Sequence, residues 1–230
     1  MKKKIVVLTG AGISAESGLA TFRGADGLWN GHRIEDVATF DAFRKDPEMV
    51  LDFYNQRRKQ AAEVLPNAAH KALARLEEAY EVLVVTQNVD DLHEQGGSSY
   101  VLHLHGKLRE ARSLVDDNLV YDIGAAPIKI GDTCEKGSQL RPNIVWFGEA
   151  VPNIQKANSL ARSADVFIVI GTSMKVYPAA NLIHYVDNQA PKYLIDPNAD
   201  ELGHYKDLTI LKEKASVGVP KLVDELLGQA

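Results

Sequence analysis

The residues that could do chemistry stand in five groups, each after or within an apolar run. The first is Gly10-Ala11-Gly12-Ile13-Ser14-Ala15-Glu16-Ser17-Gly18, which follows Ile5-Val6-Val7-Leu8-Thr9. Glycines at a strand-to-helix junction let the backbone approach a ligand closely, and the following helix offers unpaired N–H groups to a pyrophosphate. A plain turn that happens to contain glycine reads the same way. The acidic residue that a dehydrogenase places about 20 positions further on for a ribose is not clearly placed. Asp26 comes early, and Glu35 and Asp36 lie in irregular sequence; a Thr21-Phe22-Arg23-Gly24 cluster follows instead.

The second group is Thr86-Gln87-Asn88-Val89-Asp90-Asp91-Leu92-His93. An amide pair and two carboxylates at a strand end can bond ribose hydroxyls or a carboxamide, and Asn88 or Asp90 could equally cap a helix. The third is His103-Leu104-His105-Gly106, where alternation with leucine puts both histidines on one strand face. One can simply be packed; a strand-end histidine followed by glycine also suits a general base. The fourth is the hydroxyl-bearing turn Gly171-Thr172-Ser173. The fifth, Leu140 to Glu149, reads either as a buried strand or as the wall of an apolar tunnel with an edge for an extended peptide. Tyr54 and Arg57, three apart on a helical pattern, share a face, although Arg57 also belongs to the charged run Arg57-Arg58-Lys59.

These groups need strand ends to hold them. Apolar runs at Ile5–Thr9, Val82–Thr86, Tyr100–His103, Val166–Ile170, Tyr193–Ile195 and Leu208–Leu211 predict strands buried on both faces. Helical patterns lie between them at about 47–64, 68–80, 154–162, 179–188 and 219–227. Alternation of this kind predicts an α/β fold, a doubly wound parallel sheet of Rossmann-like type. Stretches 25–44 and 107–139 break the pattern and are the candidates for a small inserted module and for loops over a ligand.

With 26 basic and 31 acidic residues the net charge is −5, so no positive field exists to gather nucleic acid or an anionic membrane. The hydrophobic share, 45%, is that of a globular protein able to bury a core. The first apolar run is too short for a secretory signal, and no stretch is long enough to span a bilayer, so a cytoplasmic location is expected. A single cysteine, Cys134, excludes an intrachain disulfide and a four-cysteine zinc site.

Taken in order, Gly10 to Gly18, Phe22-Arg23, Thr86 to Asp90, His105-Gly106, Arg141-Pro142 with Val145 to Glu149, and Gly171-Thr172-Ser173 resemble the signature of the sirtuins, NAD-dependent protein lysine deacylases. The resemblance runs from Gly10 to Ala215. It implies that the acyl-lysine oxygen attacks C1' of the nicotinamide ribose. Nicotinamide leaves, and a histidine base then promotes hydroxyl attack on the alkylimidate, giving lysine and O-acyl-ADP-ribose. His105 is the implied base, with Asn88 and Asp90 at the nicotinamide and its ribose. The implied NAD contacts are Gly10, Ala11, Gly12, Ser14, Glu16, Thr21, Phe22, Arg23, Trp29, Gln87, Asn88, Val89, Asp90, Gly171, Thr172, Ser173, Asp196, Asn198 and Ala215. Val145, Trp146, Phe147, Gly148 and Glu149 would line the acyl-lysine channel and begin a loop that pairs with the peptide. Tyr54 and Arg57 resemble the Tyr-x-x-Arg pair of class III sirtuins, which implies a pocket for acidic acyl chains: succinyl- or malonyl-lysine, with acetyl-lysine also accepted.

The resemblance further implies one catalytic domain over 1–230, with a large lobe at about 1–30, 80–106 and 140–230 and a small lobe at about 31–79 and 107–139. Acylated-lysine proteins or peptides are the expected partners of a monomer, and the length is that of a bare catalytic core. The chain departs from the family where two CxxC pairs usually bind zinc: Ser113, Asp116 and Gly137 stand beside Cys134. No metal is therefore expected, and packing of Leu114, Val115, Leu119, Val120, Tyr121, Ile123 and Ile128 is expected to hold the module. Asp196 also stands where asparagine is usual, and Ala20 where proline is. The alternatives are a protein mono-ADP-ribosyltransferase and a non-catalytic NAD or ADP-ribose binding module.

Overall fold

Continuously apolar runs need cover on both faces, and six of them build one parallel sheet. The computed structural model describes residues 2–20, 29, 31–199 and 208–230. In chain order the elements are β1 (Lys4–Thr9), α1 (Gly12–Ala15), α2 (Ile34–Val37), α3 (Phe40–Lys45), α4 (Pro47–Glu63), α5 (Ala68–Leu76), β2 (Glu81–Thr86), α6 (Leu92–Gln95) and β3 (Val101–His103). There follow β4 (Gly106–Ser113), β5 (Val120–Asp122), β6 (Leu140–Ile144), α7 (Ile154–Arg162), β7 (Val166–Ile170), a 3₁₀ helix (Ala179–Tyr185), β8 (Lys192–Ile195), β9 (Leu208–Leu211) and α8 (Ala215–Gly228). Among the described residues no helix is long and apolar enough to cross a membrane.

Two compact units emerge. The first comprises Met1–Gly18, Leu65–Leu104 and Val151–Ala230. Its sheet runs β3-β2-β1-β7-β8-β9, and every neighbouring pair is parallel. Register aligns Thr9 with Thr86 and Ile170, Thr86 with His103, and Ile170 with Ile195. Five strands therefore end level, and chain order reverses at β1, the place where such sheets bind ligands. Ile5 and Val7 face α5 and α8, burying Leu73, Leu76, Val219 and Leu222, while Val6 and Leu8 face Ala157, Ala161 and Leu182. Each fully buried aliphatic side chain contributes about 1.5–3 kcal/mol, so the strand ends stand on a stiff base.

The second unit comprises Leu19–Val64 and His105–Ala150. Its antiparallel sheet has the order β5-β4-β6. Asp46 caps α4, its carboxylate accepting from Met49 N at 3.0 Å, and Pro47 supplies the pre-set first turn. Residues Val50, Phe53, Tyr54, Arg57, Arg58 and Ala61 form the buried stripe of α4. Arg57 and Arg58 thus lie in that stripe and not on the solvated face that a charged run suggests.

These boundaries differ from the expected lobes. Helix α5, expected with the small lobe, belongs to the first unit because Ala69, Leu73 and Leu76 pack into the parallel sheet's core. The stretches expected to be irregular carry α2, α3, β4 and β5. Helices of four to six residues leave too short a period to read, and β4 mixes Lys107, Arg109, Glu110 and Arg112 into its alternation.

Candidate active site

Level strand ends bring the glycine, amide and hydroxyl turns of the first unit to one edge of the sheet. Gly10 N donates to Ile170 O at 3.0 Å and Gly12 N to Gly171 O at 2.8 Å. A Cβ on Gly12 would fall 2.6 Å from Gly171 Cα, and one on Gly10 would fall 2.7 Å from Thr172 Cβ. Two turns packing on each other therefore demand these glycines. Helix α1 has only four residues, and its Ile13 and Ser14 N–H groups are taken by Gly10 O and Ala11 O, each at 3.2 Å. The expected row of open helix N–H groups after Gly12 is corrected accordingly: a short turn spends them internally.

Asn88 and Asp90 share a network with Ser14. Asn88 Nδ2 donates to Gly10 O at 3.1 Å and to Ser14 Oγ at 3.2 Å, while Asn88 N donates to Thr86 Oγ1 at 3.0 Å. Ser14 Oγ donates to Asp90 Oδ2 at 3.1 Å, and Leu92 N donates to Asp90 Oδ1 at 3.2 Å. Burial pushes the Asp90 carboxyl above the usual carboxylate range, outweighing those two bonds and the nearby charge of His103. Neither Asn88 nor Asp90 is the helix cap: Asp91 occupies that position of α6 without a side-chain capping bond, and Asp90 accepts from Leu92 N two residues on, in a local turn.

Gln87 Nε2 donates to Thr172 Oγ1 at 3.1 Å, joining the turns after β2 and β7. Val89 is half-buried beside them and Ser173 is exposed. After β8, Asp196 Oδ1 accepts from Asn198 N at 2.8 Å. Glu16 does something sequence did not foretell. Its carboxylate accepts from Ser216 N at 2.9 Å and Ser216 Oγ at 2.8 Å, fastening the first turn of α8 where Ala215 is buried. Thr21, Phe22 and Arg23 lie outside the described residues.

Beneath the strand ends lies a layer that the sequence reading left unassigned. Thr9 Oγ1 donates to Thr86 Oγ1 at 2.8 Å and meets His93 Nε2 at 2.9 Å, and the His70 ring packs edge-on against His93 at 4.9 Å. Burial pushes His70 down to about 4 and His93 down to about 3, so both rings are neutral near pH 7. The signal for His70 was available, because it shares the buried face of α5 with Leu73. His103 is buried too, its ring spanning Asn88 O and Glu94.

In the second unit His105 is fixed by a strand start. Its carbonyl accepts from Val145 N at 3.0 Å, and Gly106 follows at φ +80°, where a Cβ would fall 1.9 Å from Asn143 O. Tyr54 is wholly buried and its hydroxyl accepts from Trp146 Nε1 at 2.9 Å, which leaves its own O–H to donate. Burial pushes the phenol up, so it stays protonated. The Arg57 guanidinium lies 4.6 Å from the centre of the Trp29 ring, which packs edge-on against Phe53 and Tyr54. Trp29 is thus a wall of the Tyr54–Arg57 cluster.

The loop after β6 is held from inside. Arg141 stacks 3.3 Å from the Trp146 ring centre and donates to Glu149 at 2.5 and 3.0 Å. Trp146 N also donates to Glu149, at 2.7 Å. Burial acts to raise the Glu149 carboxyl, but the bonds from Arg141 and Trp146 N hold it below the usual range. Glu149 is therefore turned into this turn as its anchor. Val145 is half-buried, whereas Phe147 and Gly148 are exposed, with Gly148 at φ +87°.

The four positions matched to zinc-binding thiols do not fit the metal. Cys134 Sγ donates to Ser113 Oγ at 3.3 Å, Asp116 is bound by Lys136 at 2.6 Å, and Gly137 has no side chain. One thiol and one committed carboxylate do not make a tetrahedral zinc site. The expected apolar packing of this module also needs correction: Ile128 is buried, but Val115 and Val120 are exposed. Polar links hold it to α4 instead. Asn55 Nδ2 donates to Ile128 O at 2.8 Å, its Oδ1 accepts from Ile128 N at 2.9 Å, and Arg58 Nε donates to Leu108 O at 2.5 Å.

Comparisons with known proteins bear on this arrangement. The model of the Sir2 family matches residues 10–178. An NAD-dependent protein deacylase of Helicobacter pylori (strain ATCC 700392 / 26695) is 52% identical over 228 residues, 99% of each chain. A solved complex of a Sir2 homolog with NAD is similar with TM-score 0.86 and 41% identity, covering 99% of this chain and 91% of that one. A Sir2 complex with a p53 peptide and NAD+ is similar with TM-score 0.78 and 30% identity, covering 100% and 95%. Strand-end turns of this kind, matched along nearly the whole chain, leave no other assignment: the protein belongs to the Sir2 family.

Proposed function

We propose that this protein removes acyl groups from protein lysine side chains in an NAD-dependent reaction, with succinyl- and malonyl-lysine preferred and acetyl-lysine also accepted. Family membership and a relative that carries the NAD-dependent activity in its name support the reaction. When bound, NAD supplies an electrophilic ribose carbon with nicotinamide as leaving group. The donor set at the sheet edge suits it: Asn88 and the raised carboxyl of Asp90 for the nicotinamide end, and Gln87, Thr172, Ser173 and Asp196 for ribose hydroxyls. Gly10, Ala11, Gly12 and Ser14 shape the turn beside them, and Glu16 holds Ala215 in place for the adenine. His105 takes the proton of a ribose hydroxyl on an imidazole nitrogen. Phe147 and Val145 line the path of the acyl-lysine, with Trp146 and Glu149 fixing the turn that carries them.

The acyl preference rests on one observation: Tyr54 and Arg57 both lie in the buried stripe of α4, a hydroxyl and a guanidinium together in an aromatic setting. Such a pair gives a distal carboxylate two charge-assisted bonds, which an acetyl group cannot use. Kinetics with succinyl- and acetyl-lysine peptides test this. In Arg57→Met, kcat/KM for the succinyl peptide should fall about tenfold to a hundredfold, with acetyl turnover changed far less. An unchanged succinyl preference would overturn the reading.

A further inference from the structure

We infer that His103 is a positioning residue for this deacylation: gripped by Glu94, it holds the Asn88 carbonyl and thereby fixes the Asn88–Asp90 turn. The inference rests on the reading that Asn88 and Asp90 face the nicotinamide ribose. His103 ends β3, and Leu104 N bonds to Thr86 O at 2.9 Å, so the backbone under the ring belongs to the sheet. Asn153 Nδ2 donates to His103 O at 2.8 Å. The ring is buried, with Nδ1 3.0 Å from Asn88 O and Nε2 2.9 Å from Glu94 Oε1. A carbonyl can only accept, so Nδ1 must carry a hydrogen. The second contact then needs one more proton, shared between Nε2 and the carboxylate.

Asn88 is otherwise held at its N–H by Thr86 and at its side chain by Gly10 and Ser14. His103 supplies the grip on its carbonyl, the group that leads the chain into Val89 and Asp90. The titratable groups around the ring are Glu94 and His93 from α6 and Asp90 from the turn. Glu94 at 2.9 Å holds the far side of the ring and so keeps Nδ1 on Asn88 O.

An amide placed at Nδ1 or at Nε2 separates the two contacts. In His103→Asn the amide nitrogen occupies the Nδ1 position and can still donate to Asn88 O; in His103→Gln it occupies the Nε2 position and reaches only Glu94. With an acetyl-lysine peptide and saturating NAD, kcat should stay within about threefold of wild type in His103→Asn and fall at least about tenfold in His103→Gln, with peptide KM unchanged in both. Equal kcat for His103→Asn and His103→Gln would overturn the inference. A wild type that removes no acyl group with NAD would overturn the underlying reading and this inference with it.

Discussion

At the edge of the parallel sheet, Thr9, Thr86, Ser14 and Asn88 are held by bonds among buried uncharged groups, on glycines packed backbone to backbone. In the three-stranded sheet the loops are held by charges: Arg141 on Glu149, Lys136 on Asp116 and Arg109 on Asp122. The first arrangement gains its rigidity from low dielectric and exclusion of water. The second depends on a few buried pins, since exposed ion pairs contribute little. One region thus answers to protonation of its interior and the other to loss of single side chains.

The largest expected effect is the response of the first region to acid. His70 and His93 are pushed down to about 4 and about 3 by burial, against an ordinary value near 6.5 in the unfolded chain. The unfolded state then binds more protons, so their contribution to stability is complete above pH 6.5. It is lost as pH falls from there toward 4 and 3. Urea unfolding at pH 7 and pH 5 should differ by about 4 kcal/mol, about 2 from each ring. A smaller fall in His93→Gln would assign the effect to this layer; equal stability of the wild type at the two pH values would break the contrast.

The second region should respond to Arg58. Its guanidinium is buried and bonds Leu108 O and Asn55 Oδ1, and burial pushes it down to about 10. Replacing it by Met removes both bonds and should cost about 1–3 kcal/mol. Hydrogen exchange checks where the loss falls. Amides of β4 should lose protection while those of β1 and β7 keep theirs; an equal loss in both sheets would show that the two regions do not differ as described.

Legibility in the sequence follows the same division. Five strands of the parallel sheet were readable because burial leaves apolar runs such as Val166–Ile170; the edge strand β9, expected to be buried on both faces, has Thr209 and Ile210 exposed, since it has a neighbour on one side alone. The small sheet was not, because half of β4 faces away from the core and its charges hide the alternation. The strand-end motifs were visible as spacings, but their partners were not. Nothing near Glu16 points to Ser216, 200 residues away, and nothing near Gly10 and Gly12 points to the Gly171 turn packed against them. His103 and His105 look equivalent in an alternating pattern. The partners that separate them, Glu94 and Asn88 O for one and the β4–β6 ladder for the other, exist only once the chain is folded.

Mass spectrometry of an acyl-lysine peptide incubated with NAD, with wild type beside His105→Ala, tests most directly whether the strand-end residues and His105 serve NAD-dependent deacylation. Acyl loss should require NAD, match nicotinamide release mole for mole, and fall about a hundredfold or more in His105→Ala. Equal acyl loss in the variant, or acyl loss without NAD, would contradict this role.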